Sequence, residues 1–314
     1  MRVFRKIEEV TRDSKTIISV GTFDGVHAAH RRILAEVVKL SKLNNARSFI
    51  VTFHPHPQEV LKTKKPGIKL LTTTEEKLAM LNQLGIENVL LIEFTEEFSK
   101  TSARDFYEKV IFSKAGIEHL VVGYDHLFGC NREGDFHALM QYGRELDFTV
   151  DRVEEIDING DKVSSSKIRK YLMEGAIEKA NRLLGYEYGL SGTVVEGDKM
   201  GRELGYPTAN IQTGTVSKLV PGDGVYCVRV KYAGKQYYGM MNIGFRPTLT
   251  QGIKWVAEVN IFGFDMNIYG EHLSVNFLTK LRDEEKFNSK EELIQYIRID
   301  KDNSQKYLKQ NNLI

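Results

Sequence analysis

Cysteine is scarce in this sequence: Cys130 and Cys227 are the only two among 314 residues, and they stand far apart. That spacing offers neither a disulfide framework nor a CxxC metal site, and it suits a reducing compartment. Long hydrophobic runs are missing as well. No stretch reaches the roughly 20 apolar residues of a membrane span, and the opening MRVFRKIEEVTRDSK scatters charge where a signal peptide needs an apolar core. A cytoplasmic protein without a membrane partner is the expectation. Nor is there an excess of one charge: 44 Lys and Arg against 42 Asp and Glu leave a net charge of +2. A sequence-independent grip on nucleic acid needs many clustered phosphate contacts, so no nucleic-acid partner is expected. Repeats and low-complexity segments are absent.

What remains is the balance of an ordinary folded protein, 41% hydrophobic and 27% charged, in a chain long enough for two domains. The first half alternates short apolar runs with segments of helical periodicity, which predicts βαβ units and a parallel sheet. Strands are expected at Thr16 to Val20, Ser48 to Phe53, Asn88 to Glu93, His119 to Val122 and Phe148 to Arg152. Helices are expected to start near His30, Glu75, Ser102 and Asp135. Asn159-Gly160 marks a hairpin, since both turn positions need positive φ. Two short helices then run to Leu184, with Gly185 as a left-handed stop. Beyond residue 186, strands such as GVYCVRVKY, KQYYGMMNIG, KWVAEVNIF and EHLSVNFL follow one another without long helices, the pattern of a small antiparallel barrel. A single helix from about Ser289 closes the chain. The expected fold is therefore α/β with a parallel sheet over 1–185, followed by a barrel domain over 186–314.

Chemistry-bearing residues fall into two groups. In ISVGTFDGVHAAHRRIL, the residues Gly21, Asp24 and Gly25 follow a buried strand, and His27 and His30 share one face at the start of a helix. A helix N-terminus presents unpaired N–H groups and partial positive charge, which suits phosphate. Taken alone, a polar strand-to-helix loop explains these residues as well. Three further segments follow in order: TFHPHPQEV, VVGYDHLFGCNREGD and VSSSKIRKYL. His54 and His56 suggest a substrate lid or a plain rigid turn, and neither is assigned catalysis. In the second half, Gly192, Gly197, Gly201 and Gly205 form a loop able to offer backbone donors to phosphates, although no P-loop is present. Thr208 and Asn210 supply oxygen ligands on one side of an extended segment, which suits Mg²⁺. Glu258, in AEVNI, is a candidate base; an isolated Glu on a barrel strand is otherwise a solvated outward residue.

The first set of segments resembles the nucleotidyltransferase domain of bacterial bifunctional riboflavin kinase/FAD synthetases, whose pattern reads approximately GxFDGVHxGHxxL, FxPHP, VGxDFxFGxxxxG and SSTxIR. GYPTAN and NIGFRPT, with AEVNI and LRDEEKF, are similar to the riboflavin kinase domain of the same family. The resemblance implies a Rossmann-like nucleotidyltransferase domain and a kinase barrel, with ATP as co-substrate, Mg²⁺ as cofactor, riboflavin and FMN as substrates, and FMN and FAD as products. It implies that His27 and His30 hold ATP phosphates, that Ser164, Ser165 and Arg169 bind phosphate, and that Arg169 stabilises the departing pyrophosphate. Asp125 would lie at the nucleotide and flavin site, Phe128 would stack on a flavin, and Arg282 would contact substrate. Thr208 and Asn210 would hold the metal. Four departures stand out: Ala29 replaces a glycine between the histidines, His126 an aromatic, Ser166 a threonine, and Asn260 the histidine two places after Glu258. Because of Ala29 and His126, a kinase with an impaired adenylyltransferase stays open as an alternative, as does a non-catalytic flavin-binding regulator. The oligomeric state is not legible.

Overall fold

The computed structural model describes residues 1–61, 67–130, 133–197, 200–214, 217–248, 252–287 and 289–314. These fall into two units, Met1–Ser165 and Ser166–Ile314. In the first, six strands, β1 (Arg2–Phe4), β2 (Thr16–Val20), β3 (Arg47–His54), β4 (Asn88–Glu93), β5 (His119–Gly123) and β6 (Thr149–Val153), form one sheet. Its order is β1-β4-β3-β2-β5-β6, and every pairing is parallel. A parallel sheet must be covered on both faces, and the apolar runs meet that demand by alternation. Ile18, Val20, Phe49, Val51, Leu90 and Leu120 enter one core. Ile17, Ile50, Val89 and Val121 enter the other.

Helices α1 (Ala28–Leu43), α2 (Pro57–Val60), α3 (Thr74–Gln83), α4 (Ala103–Asp105) and α5 (Phe136–Leu146) lie between these strands. Past α4 the chain continues as a π-helix over Phe106–Ala115. The helix expected near Ser102 is thus present, but its winding differs from the 3.6-residue turn. The two-stranded hairpin β7 (Asp157–Ile158) and β8 (Asp161–Lys162) turns at Asn159 and Gly160, with φ of 55° and 82°, as the Asn-Gly pair predicts. Strand order then defines a crevice: β3 and β4 lie on one side of β2, and β5 and β6 on the other. The loops leaving β2 and β5 therefore diverge at the C-terminal edge, where open α/β sheets bind ligands.

The second unit begins with α6 (Ser165–Met173, its first residue still in the first unit) and α7 (Ile177–Leu184). Gly185 ends α7 at φ 77°. A closed antiparallel barrel follows, in the order β10-β13-β12-β11-β14-β9. Its strands are β9 (Gly189–Val195), β10 (Ala209–Gln212), β11 (Gly224–Tyr232), β12 (Lys235–Thr248), β13 (Gly252–Ile261) and β14 (His272–Arg282). The short α8 (Met200–Glu203) sits between β9 and β10, and α9 (Lys290–Gln310), capped by the Ser289 side chain, closes the chain. Period-2 alternation sends Met241, Ile243, Ala257, Val259 and Ile211 into the filled interior and turns Asn242, Glu258, Asn260 and Asn210 outward.

Asn181 on α7 fastens that helix to the barrel. Its amide Nδ2 donates to the Phe277 carbonyl at 2.9 Å, and its Oδ1 accepts from the Tyr188 N–H at 2.7 Å; Phe277 and Tyr188 are fully buried. Asn181→Ala strands both backbone groups and is expected to destabilise the second unit by about 2–4 kcal/mol, read as a lower urea midpoint for that unit's transition.

Candidate active sites

At the end of β2 the chain turns sharply. Phe23, Gly25 and Val26 all take positive φ, 48°, 82° and 36°, a conformation that Phe and Val adopt only when the surroundings enforce it. The enforcement comes from Asp24. Its buried carboxylate accepts from the Leu71 and Thr72 N–H groups, at 3.0 and 3.1 Å, while the Gly25 N–H donates to Thr72 Oγ1 at 3.0 Å. A methyl group at Gly25 would stand 2.7 Å from Leu71 Cδ1, so glycine is required by both φ and contact. Asp24 and Gly25 thus shape the loop; an acceptor-only carboxylate is no donor to phosphate. Gly21 continues the sheet, its N–H bonded to the Val51 carbonyl at 3.0 Å.

This turn delivers His27 as the N-cap of α1, where its Nδ1 accepts from the His30 N–H at 3.4 Å. The neutral ring then carries its proton on Nε2 and is a donor there. The two imidazoles stack with centroids 3.5 Å apart and planes 14° from parallel. Among the described residues His30 Nδ1 is buried without a hydrogen-bond partner. Burial, then the positive charge of His27 and Lys77, hold the His30 pKa well below its ordinary value, so the ring is neutral near pH 7. Ser165 joins the same loop, its Oγ donating to the Asp24 carbonyl at 3.1 Å. Ser164 immediately precedes it, and Arg169 lies one turn along α6, in the second unit.

Lys77 is the residue of this site that sequence reasoning missed. It lies on α3, is 6% exposed, and donates to the Thr22 carbonyl, Thr52 Oγ1 and the Phe53 carbonyl at 3.1, 3.0 and 3.4 Å. Burial lowers its pKa to about 8, against the opposing pull of Asp24.

At the β5 end, Asp125 is exposed. His126 Nε2 pairs with the Tyr107 hydroxyl at 3.1 Å, and burial lowers the His126 pKa to about 4. The imidazole here fills the aromatic's place as a neutral, hydrogen-bonded ring. Phe128 is partly buried and packs with Phe53, Phe106 and Tyr107, centroids 4.3–6.0 Å away, against the core cluster. His54 bonds Thr74 Oγ1 at 2.9 Å and His56 caps α2, which fits a structured turn. Residues 131–132 of the Asp125 segment and 198–199 of the Gly-rich segment lie outside the described residues.

In the barrel, Asn210, Glu258 and Asn242 occupy directly opposed positions on β10, β13 and β12. Opposed residues share a face, so the three stand in a row on the outer wall. Glu258 is outward, as an isolated strand Glu would be, yet only 4% exposed. It stands in the wall of a cavity of about 560 Å³, lined by barrel and α9 residues, with Thr208, Met240, Asn242, Glu258, Leu293 and Ile297 among them. Thr208 lines it. Asn210 does not, and packs beneath Gly197, where a methyl would lie 2.1 Å from Asn210 Nδ2. At Gly201 a methyl would meet the Tyr206 carbonyl at 2.4 Å and Thr208 Oγ1 at 3.1 Å. Gly205 turns at φ 81°. These glycines permit the loop to lie against the segment that carries Thr208 and Asn210. Asn260 Nδ2 donates to the Pro207 carbonyl at 2.7 Å, anchoring that segment.

Arg282 lines the cavity too, and three of its five N–H groups are engaged within the protein. Nε and Nη2 each bond Asp300 at 2.9 Å, Nη1 bonds the Asp283 carbonyl at 3.0 Å, and the guanidinium lies over Phe287 and Tyr296. Asp300 is 3% exposed. Burial raises its pKa, with Arg282 opposing. The pair fastens α9 to the end of β14, which makes Arg282 a builder of the cavity wall.

The two halves match two protein families in the same order. The family described as FAD synthetase covers residues 9–167, and riboflavin kinase covers 184–308. Bifunctional riboflavin kinase/FMN adenylyltransferase of Buchnera aphidicola subsp. Schizaphis graminum is 36% identical across 98% of this chain and 99% of its own length. The Bacillus subtilis protein of the same description is 34% identical, with 94% and 93% covered. A crystal structure described as a macrolide-efflux protein from Streptococcus pneumoniae superimposes with a TM-score of 0.88 at 28% identity, covering 97% of this chain and 98% of that one. Among the described residues, no helix here is long and apolar enough to cross a membrane. With a parallel-sheet unit matching one activity's family, a barrel unit matching the other's, and relatives aligned over nearly their full lengths, the chain belongs to the bifunctional riboflavin kinase/FMN adenylyltransferase family.

Proposed function

We infer that this chain makes flavin cofactors in two ATP-dependent steps. The barrel unit transfers the γ-phosphate of ATP to riboflavin, giving FMN. The parallel-sheet unit then joins FMN to the AMP portion of ATP, giving FAD and pyrophosphate. The observation that carries the reading is the row of Asn210, Glu258 and Asn242, with Glu258 buried in the wall of a cavity of about 560 Å³. That volume suits a flavin-sized ligand, and Leu204, Met240, Leu293, Ile297 and Phe287 supply apolar surface for a ring system.

In the kinase reaction Glu258 orients the ribityl hydroxyl and accepts its proton as the oxygen attacks phosphorus. Thr208 and Asn210 offer hard oxygen donors and would hold Mg²⁺. Among the described residues no group of three or more His, Cys, Asp and Glu could hold a metal ion, which fits an ion that takes most of its ligands from phosphates and water. When bound, Mg²⁺ neutralises charge on the nucleotide phosphates. Gly197, Gly201 and Gly205 let backbone approach the phosphates closely, and Arg282 shapes the flavin pocket through Asp300. In the adenylyl transfer, the α1 N-terminus, His27 and His30 hold the triphosphate. Ser164, Ser165 and Arg169 bind phosphate at the start of α6, Arg169 meeting the charge of the departing pyrophosphate, and Asp125 stands at the β5 edge for the nucleotide and flavin. The cell compartment that fits these substrates is the cytoplasm.

The direct test separates riboflavin, FMN and FAD over time after mixing protein, riboflavin, ATP and Mg²⁺. FMN rising first and then feeding FAD is the expected result; FMN accumulating alone overturns the adenylyl-transfer half, and neither product overturns both. Glu258→Gln is expected to lower FMN formation by about 10²–10⁴-fold while riboflavin still quenches in a fluorescence titration. Gly201→Ala pushes the Tyr206 to Thr208 segment out of place, and FMN formation is expected to drop by about 10²-fold, with FAD formation from supplied FMN unaffected.

A further inference from the structure

Lysine is among the residues least often buried without an ionic partner, and Lys77 is buried with three neutral oxygens around its ammonium. Those oxygens belong to the segments that frame the first site. The Thr22 carbonyl lies in the turn between β2 and α1, and Thr52 and Phe53 end β3. Three donors meet three acceptors, so the ammonium has no N–H left over for a substrate. On the reading of this unit as the adenylyl-transfer site, we propose that Lys77 is a positioning residue: its buried ammonium locks the end of β3 to the turn that presents His27 and His30.

The groups bearing on His30 are His27, on its own helix, and Lys77, on α3. Asp24, in the turn, bears on Lys77. Burial first, then charge on a protonated His27 and on Lys77, oppose a proton on His30 and hold its pKa well below the ordinary value. Three donor bonds from one cation also oppose relaxation of the turn, whose positive-φ residues Phe23 and Val26 would otherwise find lower-energy backbone. The lysine itself loses its proton as pH rises through about 8, and the lock weakens there.

The experiment uses the full chain, whose kinase reaction reports on the integrity of the second unit. FAD formation from FMN and ATP is followed from about pH 5.5 to 9 in the parent, Lys77→Met and Lys77→Arg. Lys77→Met is expected to lose about tenfold or more of kcat/KM, keep its kinase rate, and show its acid limb moved to higher pH, because His30 now protonates more readily. Lys77→Arg keeps a fixed charge and is expected to hold the acid limb in place while abolishing the decline above about pH 8. Unchanged FAD formation in Lys77→Met, or a loss with both limbs unmoved, overturns the proposal. If Lys77→Met lacks the cooperative unfolding transition of the first unit, Lys77→Arg decides, and a persisting alkaline decline overturns the idea. Imidazole titrations followed by NMR, with His30→Gln to assign the resonance, read the coupling without turnover. They should show the His30 pKa raised in Lys77→Met, and an unmoved value overturns the proposal even if the parent forms no FAD.

Discussion

A carboxylate taken out of water must be met by donors or neutralised, and the first unit is arranged around meeting one. Asp24 is 4% exposed. The Leu71 and Thr72 N–H groups reach its oxygens, which brings the segment before α3 against the turn after β2. That contact places α3 so that Lys77 reaches the ends of β2 and β3. The Asp24 carbonyl in turn accepts from Ser165, the last residue of this unit. The stacked histidines are the outcome of these contacts, since the turn they close sets the N-cap of α1. Removing the carboxylate would leave two backbone N–H groups without their acceptor.

The barrel unit depends on covering the outside of a closed sheet. Its interior is filled largely with hydrocarbon, and the reactive row stands on the outer wall. An outward Glu is ordinarily wet. Here it is buried in the wall of a cavity that α9 helps to line, and α9 is held by the Arg282–Asp300 pair and by Leu308 packing with Cys227 and Leu278. Replacing Asp300 with a neutral apolar residue would leave a largely buried guanidinium uncompensated, which costs about 3–5 kcal/mol in comparable pairs.

Local patterns carried much of this into the sequence. Thr16–Val20 and Asn88–Glu93 are strands at the expected positions because an apolar run between polar ends is visible without tertiary context. Asn159-Gly160 and Gly185 are equally local, being requirements of φ. The π-helix was not legible. Its buried residues Phe106, Tyr107, Ile111 and Ala115 repeat every four or five positions, too close to helical spacing to distinguish. Lys77 was missed because a lysine reads as solvent-facing, and its partners lie more than twenty positions away. Motif context singled out Glu258 and Arg282. It could not show that Arg282 is engaged by Asp300, a contact that exists only once α9 has docked, nor that Phe128 packs, partly buried, against the aromatic core.

The placement of the reactive row on the outside of the barrel has an evolutionary consequence. Along β12 and β13 each step of the backbone alternates between a residue that the fold needs and one that the ligand meets: Met241 and Ile243 on one side, Met240 and Asn242 on the other. Substitutions on the ligand side leave the interior packing untouched. Asn260, on the ligand side, holds the Pro207 carbonyl from there by a hydrogen bond. Selection can therefore retune the pocket one residue at a time while the barrel that supports it stays constant.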